Sequence, residues 1–84
     1  MANPPKPPVS DAAAEFGRRV KARRTELGLS QEALAEASGL HWTYVGQVER
    51  GQRNISLHNI LKLAEGLDCD PGDLVTGIRV PAQR

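Results

Sequence analysis

Four residues at positions 42–47 are candidates for contacts to the edges of base pairs, three through their side chains and Gly46 through its backbone: Trp42, Thr43, Gly46 and Gln47. Residues three or four apart lie together on a helix, so these four share one face if the segment is helical. The Gln47 amide can bind N6 and N7 of adenine together, and Thr43 can bond a base edge or touch a thymine methyl. Trp42 can stack on a sugar or pack on that methyl. This face predicts base contacts in double-stranded DNA.

Two of these residues leave an alternative open. Gly46 costs a helix about 0.8–1.0 kcal/mol relative to alanine. It either lets the backbone approach DNA closely or is tolerated at an exposed position. The ring of Trp42 either faces DNA or folds back into the core.

A tight turn between two short helices would position this face. Ala35 is small enough for a close helix crossing, and Gly39 suits a turn that needs a positive φ. Val45 and Val48 lie three apart on the inner side of the second helix. This spacing over residues 31–50 predicts a helix-turn-helix, which places its second helix in the DNA major groove.

The sequence resembles the Cro/CI family of helix-turn-helix regulators, also called the XRE family. The matching stretches are residues 29–35 (LSQEALA), 45–51 (VGQVERG) and 54–57 (NISL). The short chain is similar to stand-alone phage repressor heads and restriction-modification controller proteins. The resemblance implies an all-α fold, a compact five-helix bundle of lambda-repressor-like type. It also implies a homodimer on a palindromic operator.

A second set of polar residues is predicted to contact phosphates. Gln31 begins the second helix, whose N-terminus favours an anion, and the resemblance implies that its side chain also braces the third helix. Arg53 and Asn54 follow the third helix, where family members grip the DNA backbone. His41 and Tyr44 are further candidates, although histidine is a poor substitute for the family's usual Ser or Thr cap. Such contacts give affinity and register rather than sequence choice.

Arg24 and Glu49 are predicted to form a structural pair. Arg24 shares the inward-leaning side of the first helix with Val20, and Glu49 follows Val48 near the buried edge of the third. The resemblance implies a partly buried salt bridge between them, in which case neither residue contacts DNA.

Caps and apolar spacing predict the remaining elements. The first helix should span residues 11–27, with Phe16, Val20 and Leu27 on one face, and the third should span residues 42–50. Ser30 and Ser56 are favourable N-caps for the second and fourth helices. The fourth helix is predicted to bury a stripe at i, i+3, i+4 and i+7: Leu57, Ile60, Leu61 and Ala64.

The ends of the chain differ from its middle. Residues 1–10 hold four prolines, which predicts a disordered arm. We expect residues 11–80 to form the DNA-binding domain and residues 81–84 to form a tail. A short fifth helix should start at the Asp70 cap, with Pro71 at its first position. The apolar residues crowded into the last part of the chain predict a homodimer interface: Leu74, Val75, Ile78 and Val80.

Charge distribution supports a nucleic-acid partner more than net charge does. The whole chain carries only +1, but residues 16–53 hold seven Lys and Arg against four Asp and Glu. The basic cluster at positions 18–24 either faces DNA or is an ordinary solvated helix face.

Several other classes of function are not supported by the sequence. The chain has one cysteine and two histidines, and it contains no catalytic triad spacing, phosphate loop or apolar membrane span. We therefore expect no enzyme activity, no cofactor, no metal and no membrane contact, and a cytoplasmic, nucleoid-associated location. The predicted function is transcriptional regulation, with RNA polymerase as a further candidate partner. The alternatives are an autoregulating antitoxin and a protein-interaction module of the same fold.

Overall fold

The structure, a computed structural model, describes residues 6–80, which contain five α-helices joined by short loops. They are α1 (Asp11–Glu26), α2 (Gln31–Ser38), α3 (Trp42–Glu49), α4 (Leu57–Gly66) and α5 (Pro71–Val75). Helix α2 packs on α3 and α4, while α1 packs on α3 and α5. The predicted all-α, five-helix fold is confirmed. Residues 1–5 of the predicted arm and the predicted tail, 81–84, lie outside the described residues.

Side-chain caps set where the helices begin. Ser30 and Ser56 each accept a hydrogen bond from the backbone N–H three residues later, at 3.0 and 3.1 Å. Asp70 Oδ1 accepts from the N–H of Gly72 at 2.7 Å. His41 Nδ1 accepts from the N–H of Thr43 at 3.1 Å, so the imidazole does cap α3. These bonds satisfy backbone donors that have no partner within the first helical turn.

The core collects apolar side chains from all five helices and the residue that follows α4. Its members are each 5% exposed or less: Phe16, Val20, Leu34, Ala35, Val45, Val48, Leu63, Ala64, Leu67 and Leu74. Fully burying a side chain as large as valine or leucine contributes about 1.5–3 kcal/mol. Leu74 therefore supports the monomer, and its prediction as a dimer-interface residue is wrong.

Helix α4 turns a different face inward from the one predicted. Leu57 is 71% exposed and Leu61 is 46% exposed. The stripe that packs inward starts three residues later with the same spacing: Ile60, Leu63, Ala64 and Leu67. Both sets satisfy the helical period, have the same composition and share Ile60 and Ala64, but the structure buries Leu63 and Leu67 instead of Leu57 and Leu61. Leu27, predicted on the inner face of α1, is 38% exposed because α1 ends at Glu26.

Three arginines of α1 hold other parts of the chain in place. Arg19 Nη1 donates to the carbonyl oxygen of Thr76 at 2.6 Å. Arg23 Nε and Nη2 donate to the carbonyls of Leu67 and Asp68, at 2.9 and 3.0 Å. Cations are favourable at helix C-termini, where carbonyls lack partners. Arg19, Arg23 and Arg24, the last described below, therefore have structural partners, and they are most of the basic cluster at positions 18–24. This cluster does not by itself mark a DNA surface.

The end of the predicted arm is attached to the folded domain. The backbone N–H of Val9 donates to the carbonyl of Gly51 at 2.8 Å. Ser10 caps α1 by accepting from the N–H of Ala13. The arm therefore meets the domain at Gly51, the second residue after α3. None of the helices within residues 6–80 has the length and apolarity needed to cross a membrane.

Candidate nucleic-acid interface

Helices α2 and α3 are joined by the tight turn that the sequence predicted. Gly39 has φ of 71°, the left-handed conformation that glycine adopts at little cost. Ala35 is 4% exposed where the two helices pack, and its carbonyl accepts from the N–H of Leu40 at 2.9 Å. Val45 and Val48 are buried on the inner side of α3. This arrangement is a helix-turn-helix.

The outer side of α3 begins with two exposed residues. Trp42 is 52% exposed, and its ring stacks on His41 with centroids 6.1 Å apart. The ring therefore does not fold into the core, so that interpretation of Trp42 is wrong, while its contact with DNA stays a prediction. The hydroxyl of Thr43 lies 2.6 Å from Nδ1 of His41. His41 thus organises both side chains at the start of α3.

Gly46 is buried, so the interpretation of it as a glycine tolerated at an exposed position is wrong. An added Cβ would lie 3.1 Å from Nη1 of Arg50 and 3.3 Å from Oε1 of Gln31. The absence of a side chain at this position therefore makes room for two long polar side chains. The predicted approach of the Gly46 backbone to a base stays a prediction.

A buried polar cluster ties α1, α2 and α3 together. Arg24 Nε lies 2.6 Å from Glu49 Oε2, and Arg24 Nη2 lies 3.0 Å from Oε1, so the pair is bidentate. The Gln31 amide donates to Glu49 Oε1 at 3.0 Å, which braces α3 as the resemblance implied. The side chains of Arg24 and Glu49 are 14% and 3% exposed. Hydrogen bonding to Glu49 raises the pKa of Arg24 further above its usual range.

Arg53 is attached to α3 by two contacts that the sequence did not predict. Its Nε donates to Oε1 of Gln47 at 2.8 Å. Its guanidinium carbon lies 5.5 Å from the ring centroid of Tyr44, within the range of a cation–π contact. The Tyr44 hydroxyl accepts from Nδ2 of Asn59 at 3.1 Å. Asn54, the remaining predicted phosphate contact, is exposed next to Arg53.

Little negative charge lies on α3 or in the loop after it. Glu49 is the only acidic residue between positions 37 and 64, and Arg24 neutralises it. Arg50 and Arg53 are exposed in the same part of the chain. The outer face of α3 and the loop after it therefore combine hydrogen-bonding side chains with unopposed positive charge.

Comparison with known proteins identifies the family. A helix-turn-helix family model matches residues 20–74, which includes α2, α3 and α4 completely. The chain belongs to the XRE-type helix-turn-helix family. The family that the sequence motifs indicated is thereby confirmed, and this family consists of DNA-binding transcription regulators, which are not enzymes.

Three members of this helix-turn-helix family illustrate the similarity. The control protein C.SmaI of Serratia marcescens is 47% identical over 61 residues, which cover 73% of each chain. The crystal structure of the controller protein C.AhdI from Aeromonas hydrophila is 60% identical, with a TM-score of 0.73, over 74% of this chain and 94% of that one. A tetramer of the controller protein C.Esp1396I, bound to its natural 35 base-pair operator, is 31% identical, with a TM-score of 0.70. That similarity covers 73% of this chain and 80% of C.Esp1396I.

The sequence indicated the outer face of α3, but it did not predict the hydrogen bond from Asn59 to Tyr44. This residue lies on α4, fifteen positions from Tyr44, and its contact depends on how α4 packs. An asparagine near a helix start gives no local signal of such a distant partner.

Proposed function

We propose that this protein binds double-stranded DNA in a sequence-specific manner and regulates transcription. The observation that carries the proposal is the outer side of α3, which is exposed while Val45 and Val48 anchor its inner side. In a helix-turn-helix, this is the helix that enters the major groove. Trp42, Thr43 and Gln47 are the proposed base-contacting residues. Binding at an operator would block or recruit RNA polymerase.

The proposed phosphate contacts surround that face. Gln31 and His41 border α3, Tyr44 lies on it, and each of the three has a partner within the protein. Asn54 and Arg53 lie in the exposed loop after α3. Each phosphate neutralised by a cationic side chain contributes to a negative slope of log K against log salt, about −0.9 per contact for duplex DNA. We expect such a slope for the wild-type protein.

Selection of bound fragments from random DNA, followed by titration at several salt concentrations, tests the proposal. A preferred sequence together with a steep salt dependence would support a DNA-binding regulator. Absence of binding to every fragment would contradict it and favour the alternative, a protein-interaction module of the same fold.

Gln47→Ala should weaken binding to the preferred sequence by about 1–3 kcal/mol and relax the preference at one base pair. Binding to random DNA should change little, because the amide carries no charge. Gln52→Ala is the matched control, since Gln52 lies in the loop after α3 and its side chain accepts from Arg50 instead. Equal losses on both DNAs would mean that Gln47 does not read a base.

We further propose that the protein acts as a homodimer through its C-terminal segment. Val75 is 41% exposed and Val80 is 77% exposed, and Val75 and Ile78 line a groove together with Ile55. Exposed apolar clusters of this kind mark interaction surfaces. A two-fold dimer would place its α3 helices about 34–36 Å apart, which matches successive major-groove faces of a palindromic operator.

Val75→Asp combined with Ile78→Asp should shift the protein to monomer in sedimentation experiments, because burying two carboxylates opposes association. Leu61→Asp is the control, since Leu61 is an exposed leucine on α4 outside that groove. Unchanged dimerisation of the double variant, or equal loss in the control, would argue against this interface.

A further inference from the structure

We propose that Arg53 is a positioning residue for base recognition, because it holds the Gln47 amide in one orientation. This inference rests on the proposed DNA-binding function and refines it. It assigns Arg53 a part in sequence choice, whereas the sequence alone suggested a general phosphate contact.

The first step is the attachment of Arg53 to the outer face of α3. Arg53 Nε donates to Gln47 Oε1 at 2.8 Å, while its guanidinium group lies over Tyr44 at 5.5 Å from the ring centroid. The Tyr44 hydroxyl is held in turn by Asn59 Nδ2 at 3.1 Å. A continuous set of contacts therefore runs from α4 through Tyr44 and Arg53 to the Gln47 amide.

The second step is the chemistry of the amide. A glutamine side chain presents a carbonyl acceptor and an NH₂ donor, and a rotation of 180° exchanges them. The guanidinium group of Arg53 has no acceptor, so it binds the Gln47 carbonyl and disfavours the exchanged orientation. The carbonyl retains a second lone pair, and Nε2 remains available to donate.

The third step is the base edge that fits this fixed orientation. Adenine offers the N7 acceptor beside the N6 donor, whereas guanine offers two acceptors, N7 and O6. An amide with a fixed donor and acceptor complements adenine. An amide that is free to turn complements adenine less selectively. Arg53 should therefore increase the preference of Gln47 for adenine over guanine at the base pair it contacts.

Charge-conserving variants separate this role from phosphate binding. Lysine keeps the positive charge of Arg53 but lacks its Nε donor and planar stacking surface. Arg50→Lys is the matched control, because Arg50 also bonds a glutamine through Nε, at 3.3 Å, but that glutamine is Gln52 rather than Gln47.

The experiment begins with wild-type protein and DNA selected from a random library. The base pair read by Gln47 is the one at which Gln47→Ala loses preference. At that base pair, Arg53→Lys should reduce the adenine-over-guanine preference by about 2- to 30-fold, the range expected for coupling through packed neighbours. The slope of log K against log salt should stay the same. Asn59→Ala should shift the preference in the same direction, and Arg50→Lys should leave it unchanged.

Two outcomes would overturn the inference. If Arg53→Lys keeps the full preference and weakens binding to all sequences alike, Arg53 acts only as a phosphate contact. If Arg50→Lys reduces the preference as much as Arg53→Lys does, the effect is not specific to the contact with Gln47. A wild-type protein that selects no sequence would instead reject the proposed function itself, so the two failures are distinguishable.

Discussion

Glu49→Ala should lower the free energy of unfolding by about 3–5 kcal/mol, the usual cost of removing one partner from a buried ion pair. The Glu49 side chain is 3% exposed and receives two hydrogen bonds from Arg24 and one from Gln31. Its removal leaves the Arg24 guanidinium poorly solvated and without its counter-charge. Chemical denaturation monitored through Trp42 fluorescence or circular dichroism would measure the loss.

Glu32→Ala provides the matched comparison, because Glu32 is an exposed carboxylate in the first turn of α2. It interacts with the helix dipole, so its loss should cost about 0.3–1 kcal/mol. Glu49→Gln adds a second test, since it keeps the volume and some hydrogen bonds but removes the charge. Similar small losses for Glu49→Ala and Glu32→Ala would reject a stabilising role for the pair.

The same cluster connects stability to the proposed DNA-binding face. Gln31 donates to Glu49, and its Oε1 borders Gly46 in the middle of α3. A change at Glu49 would therefore disturb the packing of Gln31 against α3 as well as the pair itself. Weaker DNA binding by Glu49→Ala would be expected even though Glu49 makes no proposed DNA contact.

The sequence predicts features whose signals are local. Ser30, Ser56 and Asp70 cap helices as expected, because a cap depends on residues within one turn. Gly39 adopts the left-handed conformation for the same reason. The helix-turn-helix combines several such signals, so its position is predicted to within one residue at either end.

Features that depend on packing are harder to predict. Leu57 and Leu63 both belong to stripes with helical spacing on α4, and only contact with the other helices decides which stripe is buried. Arg23 likewise resembles a surface cation in the sequence, yet it binds carbonyls 44 and 45 residues away. Charge composition records the presence of such a residue but not its partner.

The contact between Arg53 and Gln47 illustrates the same limit within the candidate site. The two residues are six positions apart, and the loop after α3 must reverse direction to bring them together. Gly51 makes this possible with φ of 75°. The sequence contains the glycine, but the resulting side-chain contact depends on the full course of the loop.

Gly17→Ala should also be strongly destabilising, although alanine favours helices more than glycine does. A Cβ at position 17 would lie 2.3 Å from the carbonyl oxygen of Val48 and 2.6 Å from that of Glu49. These are backbone atoms of α3, so they cannot turn aside as a side chain would, and α1 and α3 must move apart. Overpacking of a core typically costs about 1–3 kcal/mol and occasionally more. We expect the upper end of this range, despite a gain of about 0.8–1.0 kcal/mol in helix propensity.

Gly46→Ala is the control, because Gly46 is also within a helix and the substitution is identical. The nearest atoms to its added Cβ belong to the flexible ends of Arg50 and Gln31, at 3.1 and 3.3 Å. These side chains can move, so the gain in propensity should offset most of the crowding, and stability should change by less than about 1 kcal/mol. Thermal unfolding of the two variants side by side measures the difference. If Gly17→Ala were as stable as Gly46→Ala, α1 and α3 would separate at little cost, and their close approach would not be required for the fold.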